Sequence, residues 1–167
     1  MNEYFLAHFN TARPVGPFTV HLDESKYFFQ QLQALFEKVH LHVGLLGHRH
    51  GMRSAEGREL NFFEIAALET EGEGNPHIYT LAGWRDAQDL HSYVYRDPQH
   101  VENMRRLRNW VDRSEGPNMV MWWAHRDTRI SLEMAWDRLQ RLRKEGPSAH
   151  AFSLQHRIGP PGLFSVA

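Results

Sequence analysis

The feature that most constrains this chain is an alternation in its second half. Across residues 78–146, strand-like runs take turns with segments of helical periodicity. I-Y-T-L-A-G-W at 78–84 and N-M-V-M-W-W-A-H at 118–125 are rich in aromatic and β-branched residues and bounded by turn signals, the pattern of short strands. Apolar positions recur every three to four residues after each run, until Gly146-Pro147 stops the last segment, as this pair stops helices. This half therefore reads β-α-β-α. The first half repeats the layout, with a strand at 4–10 (Y-F-L-A-H-F-N) and a helix after Asp23.

Alternation in the first strand puts Tyr4, Leu6, His8 and Asn10 on one face and Phe5, Ala7 and Phe9 on the other. Both faces are largely apolar, so the strand is expected at the centre of a sheet. Pro14 and Pro17 then break regular structure. Asp23 or Ser25 can cap a helix running to about residue 40, with Phe28, Leu32, Leu35, Phe36 and Val39 on its apolar stripe. Residues 41–51 read as a strand ending in a glycine-flanked turn, 61–68 as a strand or short helix (the strand preferred), and 69–75 as an acidic loop. Asp86 caps a helix over 87–95, Pro98 opens another to about 113, and Ser131 caps the last. The expected fold is α+β: one ferredoxin-like domain over 1–154, its antiparallel sheet covered by helices on one face, with an extended tail at 155–167. A second apolar sheet face would need burial, most simply against another copy of the chain.

A chain of 167 residues suffices for one domain burying roughly 70% of its unfolded surface. It has no cysteine, hence no disulfide framework and no thiolate chemistry. Nineteen basic and 20 acidic residues give a net charge of −1, without the basic excess that nucleic acid binding usually requires. No apolar run approaches the ~20 residues of a membrane span, and the start M-N-E-Y-F lacks a signal-peptide pattern. A cytoplasmic protein is the expectation. The unusual count is 12 histidines.

His100 is the sharpest candidate for chemistry. In a helix opened by Pro98, positions 100, 104, 107 and 111 share a face, so His100 lies with Met104, Leu107 and Val111 toward the sheet. The positive end of the helix favours a neutral ring, able to accept a proton or bind a metal. The plain alternative is a histidine hydrogen-bonded within the core. His48 and His50, in H-R-H, project to one side of an extended chain and could share a metal, or form an exposed turn. Trp84, Tyr95, Arg96, Trp122, Trp123 and His125 could line a pocket for a flat organic molecule, or serve as core and interface residues. If 122 and 123 lie in a strand, their rings face opposite sides. Serine-nucleophile elbows, phosphate loops and dinucleotide fingerprints are absent.

Trp84, Tyr95-Arg96, His100, Arg105-Arg106-Leu107-Arg108, Trp110 and Trp122-Trp123, with Ala135, Arg138-Leu139, Arg141-Leu142, Gly146-Pro147 and Ala151-Phe152, resemble a bacterial domain-of-unknown-function 3291 family. Leu6-Ala7, Asn10 and Ala12-Arg13 match its opening strand, whereas 40–74 is richer in histidine and longer than its pattern. That family in turn resembles the dimeric α+β barrels, the antibiotic-biosynthesis-monooxygenase-like group. The resemblance implies a homodimer with a pocket between sheet and helices, bordered by Asn10, Trp84 and His100. The expected function is a monooxygenase-like oxidoreductase acting on a small hydrophobic or aromatic molecule. Without a cofactor, Trp84, Asn10 and Tyr95 would orient the substrate while His100 takes a proton, and His8, Trp122, Trp123 and His125 complete the pocket. With haem, His100 would be the axial ligand, with Arg96 and Met104 beside the cofactor. The alternatives are a non-catalytic ligand-binding dimer and a non-haem metal enzyme using a transition metal on His48 and His50.

Overall fold

The computed structural model describes residues 3–16, 22–54, 58–60 and 76–161. Strand β1 (Tyr4–Ala12) leads into helix α1 (Leu22–Val39), followed by β2 (Leu45–Arg53), the short β3 (Glu59–Leu60) and β4 (His77–Trp84). Helices α2 (Ala87–Arg96) and α3 (Pro98–Arg106), strand β5 (Met119–His125) and helix α4 (Leu132–Glu145) complete the elements among the described residues. The sheet order is β3-β2-β4-β1-β5, with every pair antiparallel. β1 and β2 are therefore parallel across β4, as β4 and β5 are across β1, the ferredoxin-like βαββαβ arrangement with an added edge strand. β1 is the central strand its two apolar faces call for.

The register sorts side chains by face. Leu6, His8 and Asn10 stand beside Trp84, Ala82 and Thr80 of β4 and Trp123, Met121 and Met119 of β5. This face receives α2, whose Leu90 and Val94 pack with Leu6, Trp84 and Met121, while α3 packs against α2 and α1. The opposite face carries Ala7, Phe9, Tyr79, Leu81, Val120 and Trp122, buried with Leu132, Ala135, Leu139 and Leu142 of α4.

Helices thus lie on both faces rather than one. The stripe of α4 is long enough to cover the β1–β5 half of the second face. Leu46, opposite Phe5 and Gly83 on the β2 side, stays 56% exposed.

Three boundaries differ from the sequence reading. α1 begins at Leu22, with Asp23 and Glu24 in its first turn and Ser25 buried. The H-R-H run lies inside β2, because the turn falls earlier, at Gly44 with φ +88°. α3 ends at Arg106 instead of continuing to 113. There the chain is drawn away: Val15 N–H donates to Trp110 C=O, Asp112 N–H donates to Arg13 C=O, and Trp110 buries against Phe28. The segments at 61–68 and 69–75 lie outside the described residues. Beyond α4 the chain returns to the sheet edge, where Phe152 and Met121 exchange both backbone hydrogen bonds.

Candidate active site

Asp86 caps α2 by accepting from the N–H groups of Gln88 and Asp89. Asp97 ends α2 and caps α3, with Pro98 in the first turn and its Oδ1 accepting from His100 N–H at 2.7 Å. This shared Asp-Pro corner fixes His100 in the first turn of α3. Its ring faces back over α2, where Nδ1 lies 3.1 Å from Val94 C=O. A carbonyl can only accept, so the proton sits on Nδ1 and the Nε2 lone pair is left available. Burial lowers the His100 pKa, against opposing influences of the Val94 carbonyl and Asp97.

Beneath α3 is a cavity of about 520 Å³, within the range of small-molecule sites. His8, Asn10, Thr80, Ala82, Trp84 and His48 line its sheet side, and Tyr93, His100, Asn103, Met104 and Leu107 its helix side. It exists because the sheet presents small and polar side chains where α3 crosses, while the large residues beside it pack under α2. His8 is 5% exposed, and neither ring nitrogen has a hydrogen-bond partner among the described residues. Burial pulls its pKa down to about 3, and a charge on His100 would lower it further. Both imidazoles are thus uncharged near neutral pH, one on the floor and one on the roof.

An aromatic wall joins them. Tyr93 stacks on Trp84 at 5.4 Å between ring centroids and meets the His100 ring at 4.6 Å. Burial, then the charge of Asp97, pushes the Tyr93 hydroxyl up to about 12, so it remains a neutral phenol. His42 packs edge-on against Tyr93 at 4.7 Å, with Nε2 3.6 Å from Asp97 Oδ2.

The sequence candidates divide by position. His8, Asn10, Trp84, His100 and Met104 border the cavity, and Tyr95, 50% exposed, stands at its rim. Arg96 is exposed at the end of α2 and does not line it. Trp122 points to the opposite face, buried beneath α4 with Arg138 over its ring, because strand alternation separates it from Trp123. Trp123 is on the cavity's side of the sheet, but its indole N–H donates to Ile158 C=O at 2.6 Å and the C-terminal segment occupies the space beside it. His125 is exposed at the end of β5, edge-on to Tyr4 and 3.3 Å from Asp127. His48 borders the cavity while His50 is exposed, their ring centroids 5.7 Å apart. Among the described residues no three His, Asp or Glu side chains gather as a metal-binding group.

Sequence reasoning missed Tyr93 and Asn103. Asn103 was discoverable: it lies one helical turn beyond His100, on the same side of α3.

The family described as domain of unknown function (DUF3291) matches residues 6–165. The chain belongs to the DUF3291 family. The match includes the histidine-rich 40–74 stretch that looked like a departure, so β2 and His48 are within the DUF3291 region. A search of curated proteins finds no match.

Proposed function

We propose that this DUF3291 protein is a monooxygenase-like enzyme whose substrate is a flat, uncharged, hydrophobic molecule carrying an acidic O–H group. The observation that carries the reading is the His100 ring: tethered through Nδ1 to Val94 C=O, it offers Nε2 over an apolar cavity. Trp84 and Tyr93 supply a stacking wall, His8 and Asn10 supply polar contacts on the floor, and burial strengthens each contact by excluding water. His100 Nε2 takes the substrate proton, leaving its electron pair on a conjugated anion electron-rich enough to reduce oxygen. For an activated CH₂ group the balanced outcome is CH₂ + O₂ → C=O + H₂O: one oxygen atom enters the carbonyl and the other leaves as water with both hydrogens.

A second reading keeps the pocket and adds haem. It is favoured by the same tether, since a ring nitrogen that donates to a carbonyl orients its partner nitrogen for a metal. His100 would hold the iron, with Met104 beside it. Haem when bound supplies an iron centre that activates oxygen; the residues here then orient and enclose the substrate.

A cytoplasmic homodimer is part of the proposal. α4 leaves the β2 side of the second sheet face open around the exposed Leu46 and Arg49, and a second copy would cover it. Sedimentation should give twice the monomer mass.

The test is an absorption spectrum of protein produced with ample iron, followed by oxygen uptake with a hydroxyanthrone. A strong band near the violet edge selects haem. Oxygen uptake without that band selects the cofactor-free route. In either case His100→Ala should abolish uptake, and uptake unchanged by that substitution contradicts the reading.

A further inference from the structure

Asn103 lies three residues after His100 on α3, so the two side chains leave the same side of the helix one turn apart, within the ~5.4 Å pitch. Asn103 is 6% exposed and lines the same cavity. Its amide orientation is fixed from outside: Tyr27 of α1 donates its hydroxyl to Asn103 Oδ1 at 2.7 Å. Arg106 stacks on the Tyr27 ring at 3.9 Å from guanidinium carbon to ring centroid, holding that phenol in place. The oxygen is taken in this arrangement, and Nδ2 is the free end. That Nδ2 is buried without a hydrogen-bond partner among the described residues, at the cost such orphaned donors carry.

His100 Nε2 is an acceptor and Asn103 Nδ2 is a donor, side by side on the roof of one cavity. This pair is complementary to a ligand that presents an O–H next to a carbonyl oxygen. We propose that Asn103 is a second substrate-binding and catalytic group, and that the substrate class is a planar aromatic or enolic hydroxy-ketone whose hydroxyl faces His100 and whose conjugated carbonyl oxygen accepts from Asn103 Nδ2–H.

The inference rests on the reading of His100 as proton acceptor and specifies its partner. When the substrate O–H bond breaks, the proton moves to His100 Nε2 and the electron pair stays with the substrate. Conjugation spreads the charge onto the carbonyl oxygen, where the Asn103 N–H stabilises it, as preorganised donors stabilise oxyanions elsewhere. The imidazolium so formed keeps its bond to Val94 C=O, and the Asp97 carboxylate at the corner favours it. Tyr27 is a positioning residue that acts through the amide.

Three probes of similar size separate the contributions: 1-hydroxy-2-acetonaphthone carries both oxygens, 1-naphthol only the hydroxyl, and 2-acetonaphthone only the carbonyl. Binding is read by quenching of tryptophan fluorescence, with Trp84 in the cavity wall. Deprotonation is read by the red-shifted absorption of the bound hydroxy-ketone.

Wild-type protein should bind the hydroxy-ketone at least about tenfold more tightly than either single-oxygen probe, the worth of one hydrogen bond to a charged group. Asn103→Asp keeps an acceptor for Tyr27 but loses the donor, and should remove that preference and the red shift. Tyr27→Phe keeps the donor but frees the amide to turn, and should reduce the preference without abolishing it. Thermal unfolding of each variant reports folding, and the wild-type ranking of the three probes is independent of any variant. Equal affinity of wild type for all three probes overturns the role of Asn103 and leaves the pocket intact, as does an unchanged preference in folded Asn103→Asp. No binding of any probe to wild type overturns the pocket reading together with it.

Discussion

The two faces of this sheet are made from the same five strands, yet they are built to different standards. Under α4, Phe9, Val120, Trp122, Ala135 and Leu139 are at most 2% exposed, and the cationic side chains there lie flat on indole rings: Arg53 is 3.6 Å from the Trp136 centroid, and Arg138 5.0 Å from that of Trp122. Under α2 and α3 the face is packed at its two ends, around Trp84 and Leu90 and around Ile78, Leu107 and Trp110. Between them is a cavity bordered by buried polar atoms that have no hydrogen-bond partner among the described residues: both His8 nitrogens, Asn103 Nδ2 and Trp84 Nε1. Such atoms also occur on the α4 face, at Trp122 Nε1, His77 Nδ1 and Arg138 Nε, so what sets the α2–α3 face apart is the cavity beside them. On the proposed function, the α4 face serves stability and the α2–α3 face serves a ligand.

The sharpest way to break this contrast is to damage each face separately. Leu139→Ala, on the dense face, should cost about 2–5 kcal/mol in urea unfolding, the usual cost of a cavity in a packed core; a cost below ~1 kcal/mol would mean that α4 is loosely docked. His100→Ala, on the open face, should leave unfolding within ~1 kcal/mol of wild type while lowering kcat/KM for a hydroxyanthrone by about 10²–10⁴-fold, the range for loss of a general base. If the two variants exchanged these effects, the division of labour between the faces would be wrong.

The pH dependence of stability sharpens the point. His8, with its pKa at about 3, and His77, at about 4, are both neutral when folded but titrate near 6.5 when unfolded. Between those values the unfolded chain binds more protons, so stability is full above pH 6.5 and falls as the pH drops toward 4. Each histidine contributes a slope of up to ~1.4 kcal/mol per pH unit. His8→Leu should remove its share of the slope, measured by urea unfolding at pH 4.5 and 7, and at pH 7 should leave stability equal or slightly higher, because an orphaned ring has been replaced by an apolar one. A steeper slope in the variant would contradict the burial of a neutral His8. The smallest effect belongs to Trp123→Phe. Loss of the 2.6 Å bond to Ile158 should cost about 1 kcal/mol and raise proteolytic cutting near residues 155–161, with cavity binding unchanged.

Much of this was legible in the sequence where a local rule had no competitor. The caps at Asp86 and Ser131 and the alternation through His8 and Trp84 needed only neighbouring residues, and all fell into place. His100 was readable because Pro98 set the phase of its helix. What failed required distant information. The end of α3 is decided by the chain at Arg13–Val15, nearly a hundred residues away. The position of Trp122 relative to the cavity depends on which face α4 covers, which alternation alone leaves open. Asn103 was passed over because an asparagine on a helix is ordinary until Tyr27, from another helix, claims its oxygen.

The central claim is that His100 presents an uncharged ring, with its free Nε2 turned into a cavity that takes a planar hydroxylated molecule. Nitrogen-15 NMR of the histidine side chains tests it directly, at pH 7.5 with and without 1-hydroxy-2-acetonaphthone. The account predicts that His100 is neutral with its proton on Nδ1, that His8 is neutral, and that both shift when the probe binds, His100 toward the imidazolium. A His100 already protonated at pH 7.5, or a pair of rings that ignores the probe while it binds elsewhere, would contradict it.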